Sequence, residues 1–363
     1  MINGENRKTY LDNMRLMIIL GLFLFHSCEM FYLNEGFYIE ADKQLIPTLI
    51  YNLASPWYMG VLFFIAGMAS MLSLKKRTMK IYCQERVKRI MVPLLTGVLC
   101  WVPFQSYFVL KNHSDFVGNV SDAWKYFFTH GSLFSYGYHG EFTLSHLWFL
   151  LSLFVISLVC IPVVFLKKKY PEKMNLVFGW DKLIVVVLLI YIVSYGTSDE
   201  STLKFIVFYL LGVVLYDNDS FFIFIEKHIK MLVGISLISD CLTAWFLIEM
   251  KHVETMSVAY ALMRLLWACS CVITAFTVIG LGRNYLNFSN NFWKYWTRNS
   301  FMIYFVHMVP LIAIGYYVIT YLEIWYPFQI LIITFSSLLV TIGMVKVLGL
   351  ITPFRKMFGM AKK

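Results

Sequence analysis

The stretch MRLMIILGLFLFHSCEMFYL, residues 14–33, decides the fold. Its length matches the ~20 residues a helix needs to cross a ~30 Å hydrocarbon core. Arg15, His26, Ser27 and Glu29 interrupt its apolar run. The rest of the chain repeats the theme. Of 363 residues, 59% are hydrophobic and 14% charged, against roughly 45–50% and 25% in a soluble domain. Mean hydropathy is +0.68. Those proportions exclude a soluble enzyme, a disordered chain and a protein that reads nucleic-acid bases. The seven cysteines form no CxxC pair, so neither a disulfide framework nor a metal site is indicated.

Nine further apolar stretches follow the first, at Tyr51–Leu74, Ile90–Leu110, His146–Leu166, Leu183–Gly196, Thr202–Tyr216, Met231–Ile248, Met256–Leu281, Asn299–Ile319 and Pro327–Leu348. The expectation is an all-α, polytopic bundle of about ten transmembrane helices, a single membrane domain over 1–363 with no fused soluble domain. The fifth and sixth stretches are short, either tilted spans or one re-entrant hairpin. The formal net charge is +10. With the N-terminus inside, 25 of the 31 Lys and Arg fall on cytoplasmic segments, so both termini are predicted cytoplasmic. The basic balance thus reflects topology rather than a nucleic-acid partner. The segment between the second and third spans is denser still, with Lys75, Lys76, Arg77, Lys80, Arg86, Lys88 and Arg89. Anionic lipid headgroups or a phosphorylated cofactor suit it, as does ordinary positive-inside anchoring. On the opposite side, residues 111–145 form a long connection rich in Gly, His and aromatic residues, which reads as a packed extracytoplasmic cap.

The first span also holds the candidate chemistry. His26 lies eleven positions after Arg15, about 20° past three full turns and ~16 Å of rise, which puts both on one helix face. Ionisable side chains in a span generally face a cavity or the bundle interior. Glu29, at i+3 from His26, can fix the imidazole tautomer and raise its basicity, or can sit at the headgroup boundary. Arg264 lies ~12 Å into the eighth stretch, deep enough to need a partner or a wet cavity, unless it snorkels outward. Tyr304 and His307 are one turn apart, and either face one cavity or bond within the packed bundle.

The stretch Tyr10-Leu11-Asp12-Asn13-Met14-Arg15, ten residues, then His26 resembles the opening signature of acyltransferase family 3, the multi-spanning membrane O-acyltransferases. Four more pieces follow in the family's order: Pro56-Trp57-Tyr58-Met59 with Leu62 to Gly67; Glu85 to Ile90 through Pro93; His146-Leu147-Trp148-Phe149-Leu150; and Ser300 to His307. The opening is most similar to the branch that includes glucan-modifying members. The resemblance implies an acyl-CoA-dependent transferase of a multi-pass cell membrane, the bacterial cytoplasmic membrane. It would move an acyl group, acetyl first and succinyl second, from cytoplasmic acyl-CoA to a hydroxyl of a cell-envelope glycan. It implies His26 with Glu29 in catalysis and Arg15, Arg86, Lys88 and Arg89 on the nucleotide phosphates. Arg264, Tyr304 and His307 would meet substrate, and no metal takes part. With no soluble domain, the chain is expected to finish the reaction itself or to pass the acyl group to a partner. A transporter or flippase of a lipid-linked glycan is the other reading that polar residues within spans allow.

Overall fold

A computed structural model describes residues 9–358, except 35, 76, 115, 134, 196–201, 250–252 and 256, with the backbone alone at 356 and 357. Arg7, Lys8, Lys76, Phe134, Gly196, Lys251, Met256, Lys362 and Lys363 therefore lie outside the described residues.

The fold is all helical. In chain order the helices are α1 (Thr9–Glu29), α2 (Leu45–Ala54), α3 (Tyr58–Leu74), α4 (Met79–Arg86), α5 (Val92–Cys100) and α6 (Pro103–His113). Then come α7 (Val120–Thr129), α8 (Trp148–Val159), α9 (Ile161–Lys169), α10 (Trp180–Ser194), α11 (Thr202–Leu215) and α12 (Asp219–Glu249). The last are α13 (Val258–Cys269), α14 (Ala275–Tyr285), α15 (Asn291–Val306), α16 (Met308–Tyr321), α17 (Tyr326–Leu348) and α18 (Thr352–Met357). Two π-helical turns, Val87–Met91 and Ser270–Thr274, join α4 to α5 and α13 to α14.

Each of the ten expected stretches is helical, but their number as membrane crossings is lower. Among the described residues, five helices are long and apolar enough to cross, or eight if each of three bent pairs is one span. The pairs bend by 44° between α5 and α6, 49° between α8 and α9, and 57° between α15 and α16. Proline explains the bends. Pro103, Pro162 and Pro310 open the second helix of each pair, where each lacks the N–H for the carbonyl four residues back. The two remaining stretches, α10 with 15 residues and α11 with 14, rise only about 21–22 Å at 1.5 Å per residue. That is short of the hydrocarbon thickness. The protein is thus a polytopic membrane protein of five to eight spans by length and composition.

The chain divides into two compact units. Unit 1 comprises 1–18, 52–79 and 155–297. Its tightest seam is α3 against α11, where small residues let backbones touch. A Cβ on Gly67 would overlap the Tyr209 carbonyl oxygen, and one on Gly212 the Phe64 carbonyl oxygen. Lipid gives helices no hydrophobic reason to associate, so such close van der Waals packing supplies the attraction. A buried hydrogen bond from Tyr209 Oη to Ser70 Oγ, 2.7 Å, completes the seam. Within the same unit, Asp240 on α12 accepts from Ser270 Oγ at 2.5 Å and Thr274 Oγ1 at 2.8 Å, both on the second π-helical turn. The outer face of α12 exposes Ile223, Leu237, Ile238 and Trp245, an apolar surface suited to lipid.

Unit 2 comprises 19–51, 80–154 and 298–363. Here α6 packs on α7 and α16, and α16 on α17. The described part of segment 111–145 is held by its own polar chemistry. Asn119 caps α7 by accepting from the N–H groups of Ser121 and Asp122, while Asp122 returns a bond to the Asn119 N–H at 2.9 Å. Phe127 is buried and packs on Phe142, with ring centroids 5.1 Å apart.

Candidate active site

The site is built in unit 2 on the last two turns of α1. Because α1 is one uninterrupted helix from Thr9 to Glu29, the i, i+3 spacing of His26 and Glu29 is realised as a contact. His26 Nδ1 lies 2.7 Å from Glu29 Oε2. A carboxylate only accepts, so Nδ1 carries the proton and Nε2 keeps its lone pair. Both side chains are partly shielded, 13% and 14% exposed. The His26 ring stacks on Phe37 at 5.7 Å and 11°, and on His307 at 5.7 Å and 28°. Phe25 meets its edge at 5.2 Å.

His307 is fully buried at the 57° bend between α15 and α16. Its Nδ1 donates to the Tyr304 carbonyl at 2.6 Å, which leaves Nε2 as an acceptor. That Nε2 is buried with no hydrogen-bond partner among the described residues. An orphaned buried acceptor costs about 1–3 kcal/mol, so its retention points to use. Tyr304 and His307 were expected to share a cavity or to bond each other. The Tyr304 hydroxyl donates to the backbone carbonyl of His146, and His307 bonds Tyr304 through the Tyr304 main chain.

His146 is the residue that sequence reasoning left out of the site. Its ring lies 5.0 Å from His307, edge to face, and 5.6 Å from Tyr304. Its Nε2 donates to the Phe305 carbonyl at 3.0 Å. The backbone beneath it is unusual: Ser145 has φ +49°, a left-handed conformation that non-glycine residues rarely adopt, and its hydroxyl donates to Gln105 Oε1 at 2.8 Å. His26, His307 and His146 thus form a row of three imidazoles drawn from three separate stretches of the chain. The signal was present in His146-Leu147-Trp148, a histidine opening an apolar run, but nothing in the sequence pairs it with position 307.

The remaining candidates have other surroundings. Arg86 lies over the buried Tyr82 ring at 4.6 Å, while Lys88 and Arg89 project from the first π-helical turn and are exposed. An exposed pair of cations beside an arginine held on an aromatic ring suits phosphate groups. Arg15 belongs to unit 1, half-buried and 3.8 Å from Asp12. Arg264, also in unit 1, is buried rather than snorkelled; it donates to the Ser194 carbonyl and lies 4.5 Å over the Trp267 ring. Among the described residues no group of three or more His, Cys, Asp or Glu side chains is placed to hold a metal ion.

This arrangement supplies an oriented imidazole with a free lone pair beside a carboxylate, which is the equipment of a general base acting on a hydroxyl. Comparison with known proteins points the same way. Residues 8–346 match the family described as an acyltransferase domain. Glucans biosynthesis protein C of Escherichia coli O157:H7 is 24% identical over 350 residues, covering 86% of this chain and 84% of that protein. The corresponding protein of Escherichia coli strain K12 is similar to the same extent. No solved structure matches the chain.

Proposed function

The chain belongs to this membrane acyltransferase family, and from that premise we propose that it transfers an acyl group from cytoplasmic acyl-CoA to a hydroxyl of a cell-envelope glycan. The 2.7 Å contact between His26 Nδ1 and Glu29 carries the reading. In the proposed step, His26 Nε2 takes the proton of the acceptor hydroxyl as its oxygen attacks the thioester carbonyl. The C–S bond then breaks, and the same proton passes to the leaving CoA sulfur, giving ester and free CoA. Glu29 holds the imidazole in the required tautomer and offsets the positive charge it gains. His307, stacked on His26, presents its unpartnered Nε2 to the acyl or acceptor group, and Tyr304 holds the His146 backbone beside it.

Similarity to glucans biosynthesis protein C supports a glucan as the glycan. Acetyl is the proposed acyl group and succinyl the alternative, with Arg264 as a cation suited to a carboxylated donor. Arg15, Arg86, Lys88 and Arg89 are proposed to bind the nucleotide phosphates from the cytoplasmic side. That requires the Arg15 end of α1 and segment 86–89 to be cytoplasmic, and both termini are proposed to lie on that side of a bacterial cytoplasmic membrane. The test is acceptor-dependent transfer of label from radiolabelled acetyl-CoA or succinyl-CoA to glucan by the purified chain, with His26→Gln as comparison. Acceptor-dependent labelling that His26→Gln reduces by about 10²–10⁴ is the expected result. A flippase would move glycan without consuming acyl-CoA, and native-level labelling by His26→Gln would remove His26 from the reaction.

A further inference from the structure

A concavity in unit 2 lies beyond the Glu29 end of α1, between the turn that follows it, the end of α6 and the turn joining α16 to α17. It encloses about 750 Å³, within the ~300–1,000 Å³ of small-ligand sites. Glu40, Asp42 and Glu323 line it together with Trp325, Tyr326 and His113, and among the described residues no lysine or arginine does. Its walls are pinned by hydrogen bonds: the Glu40 N–H donates to Asn112 Oδ1 at 2.8 Å, and Gln329 Nε2 donates to the Leu322 carbonyl at 2.8 Å.

We propose that this cleft is the acceptor site, and that it selects a neutral polyhydroxylated glycan while refusing acidic ones. The proposal rests on the acyl-transfer reading above. Three carboxylates without a lining cation repel the phosphates of a CoA nucleotide and any glycan bearing carboxylates or phosphates. Sugar hydroxyls are donors, which carboxylates accept well. Trp325 is 67% exposed and opens α17, so its indole presents a flat apolar face at the cleft, the surface against which the C–H face of a sugar ring stacks. A metal ion is a poorer occupant, because the acids do not converge as ligands.

The cleft also adjoins the proposed base. His113 Nε2, on its wall, donates to the Phe37 carbonyl at 3.0 Å, and the Phe37 ring stacks on His26. One residue therefore separates a bound glycan's wall from the imidazole that would deprotonate it.

Isothermal titration of the purified full chain with laminarihexaose, neutral, and with hexagalacturonate, anionic, tests the proposal. The native chain is expected to bind the neutral hexamer saturably and the anionic one at least about tenfold more weakly. Trp325→Ala should weaken the neutral hexamer up to about tenfold, and Trp325→Phe should restore most of the loss. Combining Glu40→Gln, Asp42→Asn and Glu323→Gln should erase the discrimination against the anionic hexamer. The proposal is overturned if the neutral hexamer fails to bind, if the anionic one binds as well to the native chain, or if these variants leave both affinities unchanged. Neutral binding that behaves as expected without any acyl-CoA turnover would instead sink the acyl-transfer reading.

Discussion

Substituting Glu29→Gln removes one charge and little else. The amide is isosteric, and its Oε1 still accepts from His26 Nδ1, so the tautomer and the 2.7 Å contact are expected to survive. What is lost is the difference between a neutral and a charge-assisted hydrogen bond as the imidazole becomes imidazolium in the transition state. Hydrogen bonds to charged groups are worth about 1.5–3 kcal/mol against about 0.5–1.5 kcal/mol for neutral ones, a difference of about 1–1.5 kcal/mol, and about 1.36 kcal/mol is a factor of ten in rate. The expected fall in kcat is therefore about 5- to 13-fold, with KM for acyl-CoA held within about twofold, because the ground state has no imidazolium to stabilise. Label transfer from radiolabelled acyl-CoA is the suitable assay. A thiol reagent would also read the chain's own free cysteines, of which Cys100 and Cys241 are exposed. A Glu29→Gln chain with unchanged kcat, or with the whole loss in KM, would refute the orienting role and leave the pair as a structural contact.

Further outcomes follow from other parts of the molecule. His307→Asn keeps a donor for the Tyr304 carbonyl but deletes the unpartnered Nε2; its unfolding temperature should match the native chain while transfer slows at least about tenfold. Gly67→Ala should cost about 1–3 kcal/mol by forcing α3 from α11, measured by thermal unfolding in detergent, whereas Gly234→Ala, with nothing near its Cβ, should be neutral or slightly stabilising. Arg89→Gln should raise KM for acyl-CoA about two- to fivefold, an effect that shrinks as salt is added and leaves kcat unchanged. In a cysteine-free background, Val117→Cys should react with an impermeant maleimide in intact cells, and Val177→Cys only after permeabilisation; both positions are exposed, and the reverse pattern would invert the topology.

Much of this fold was legible because hydropathy reports helices directly. All ten expected stretches are helical, yet α12 begins at Asp219, well before Met231, since a helix continues through charged residues such as Glu226 and Lys227 where a hydropathy window stops. The bends at Pro103, Pro162 and Pro310 were written in the sequence as prolines and went unused. The His26–Glu29 contact was legible because helical periodicity sets it. The row that extends it to His307 and His146 was not, since those contacts join residues more than 150 positions apart and no local spacing encodes them. Arg264 shows the same limit: its depth was predictable, but its seat on Trp267 and the Ser194 carbonyl depends on tertiary packing.

The two π-helical turns carry an evolutionary corollary. A π turn holds one residue more than the α-helix around it, so deleting a single residue from Val87–Met91 or Ser270–Thr274 would return the segment to ordinary pitch without severing it. Because the widened turn absorbs the extra residue, the helix beyond such a deletion would keep its facing, whereas the same deletion in an ordinary stretch would swing everything after it by about 100°. At 270–274 the spacing of Ser270 and Thr274 would fall from four residues to three, which still places both on one helix face toward Asp240. Single-residue gaps between this chain and its relatives are therefore expected at these two places, with an acid kept at position 240.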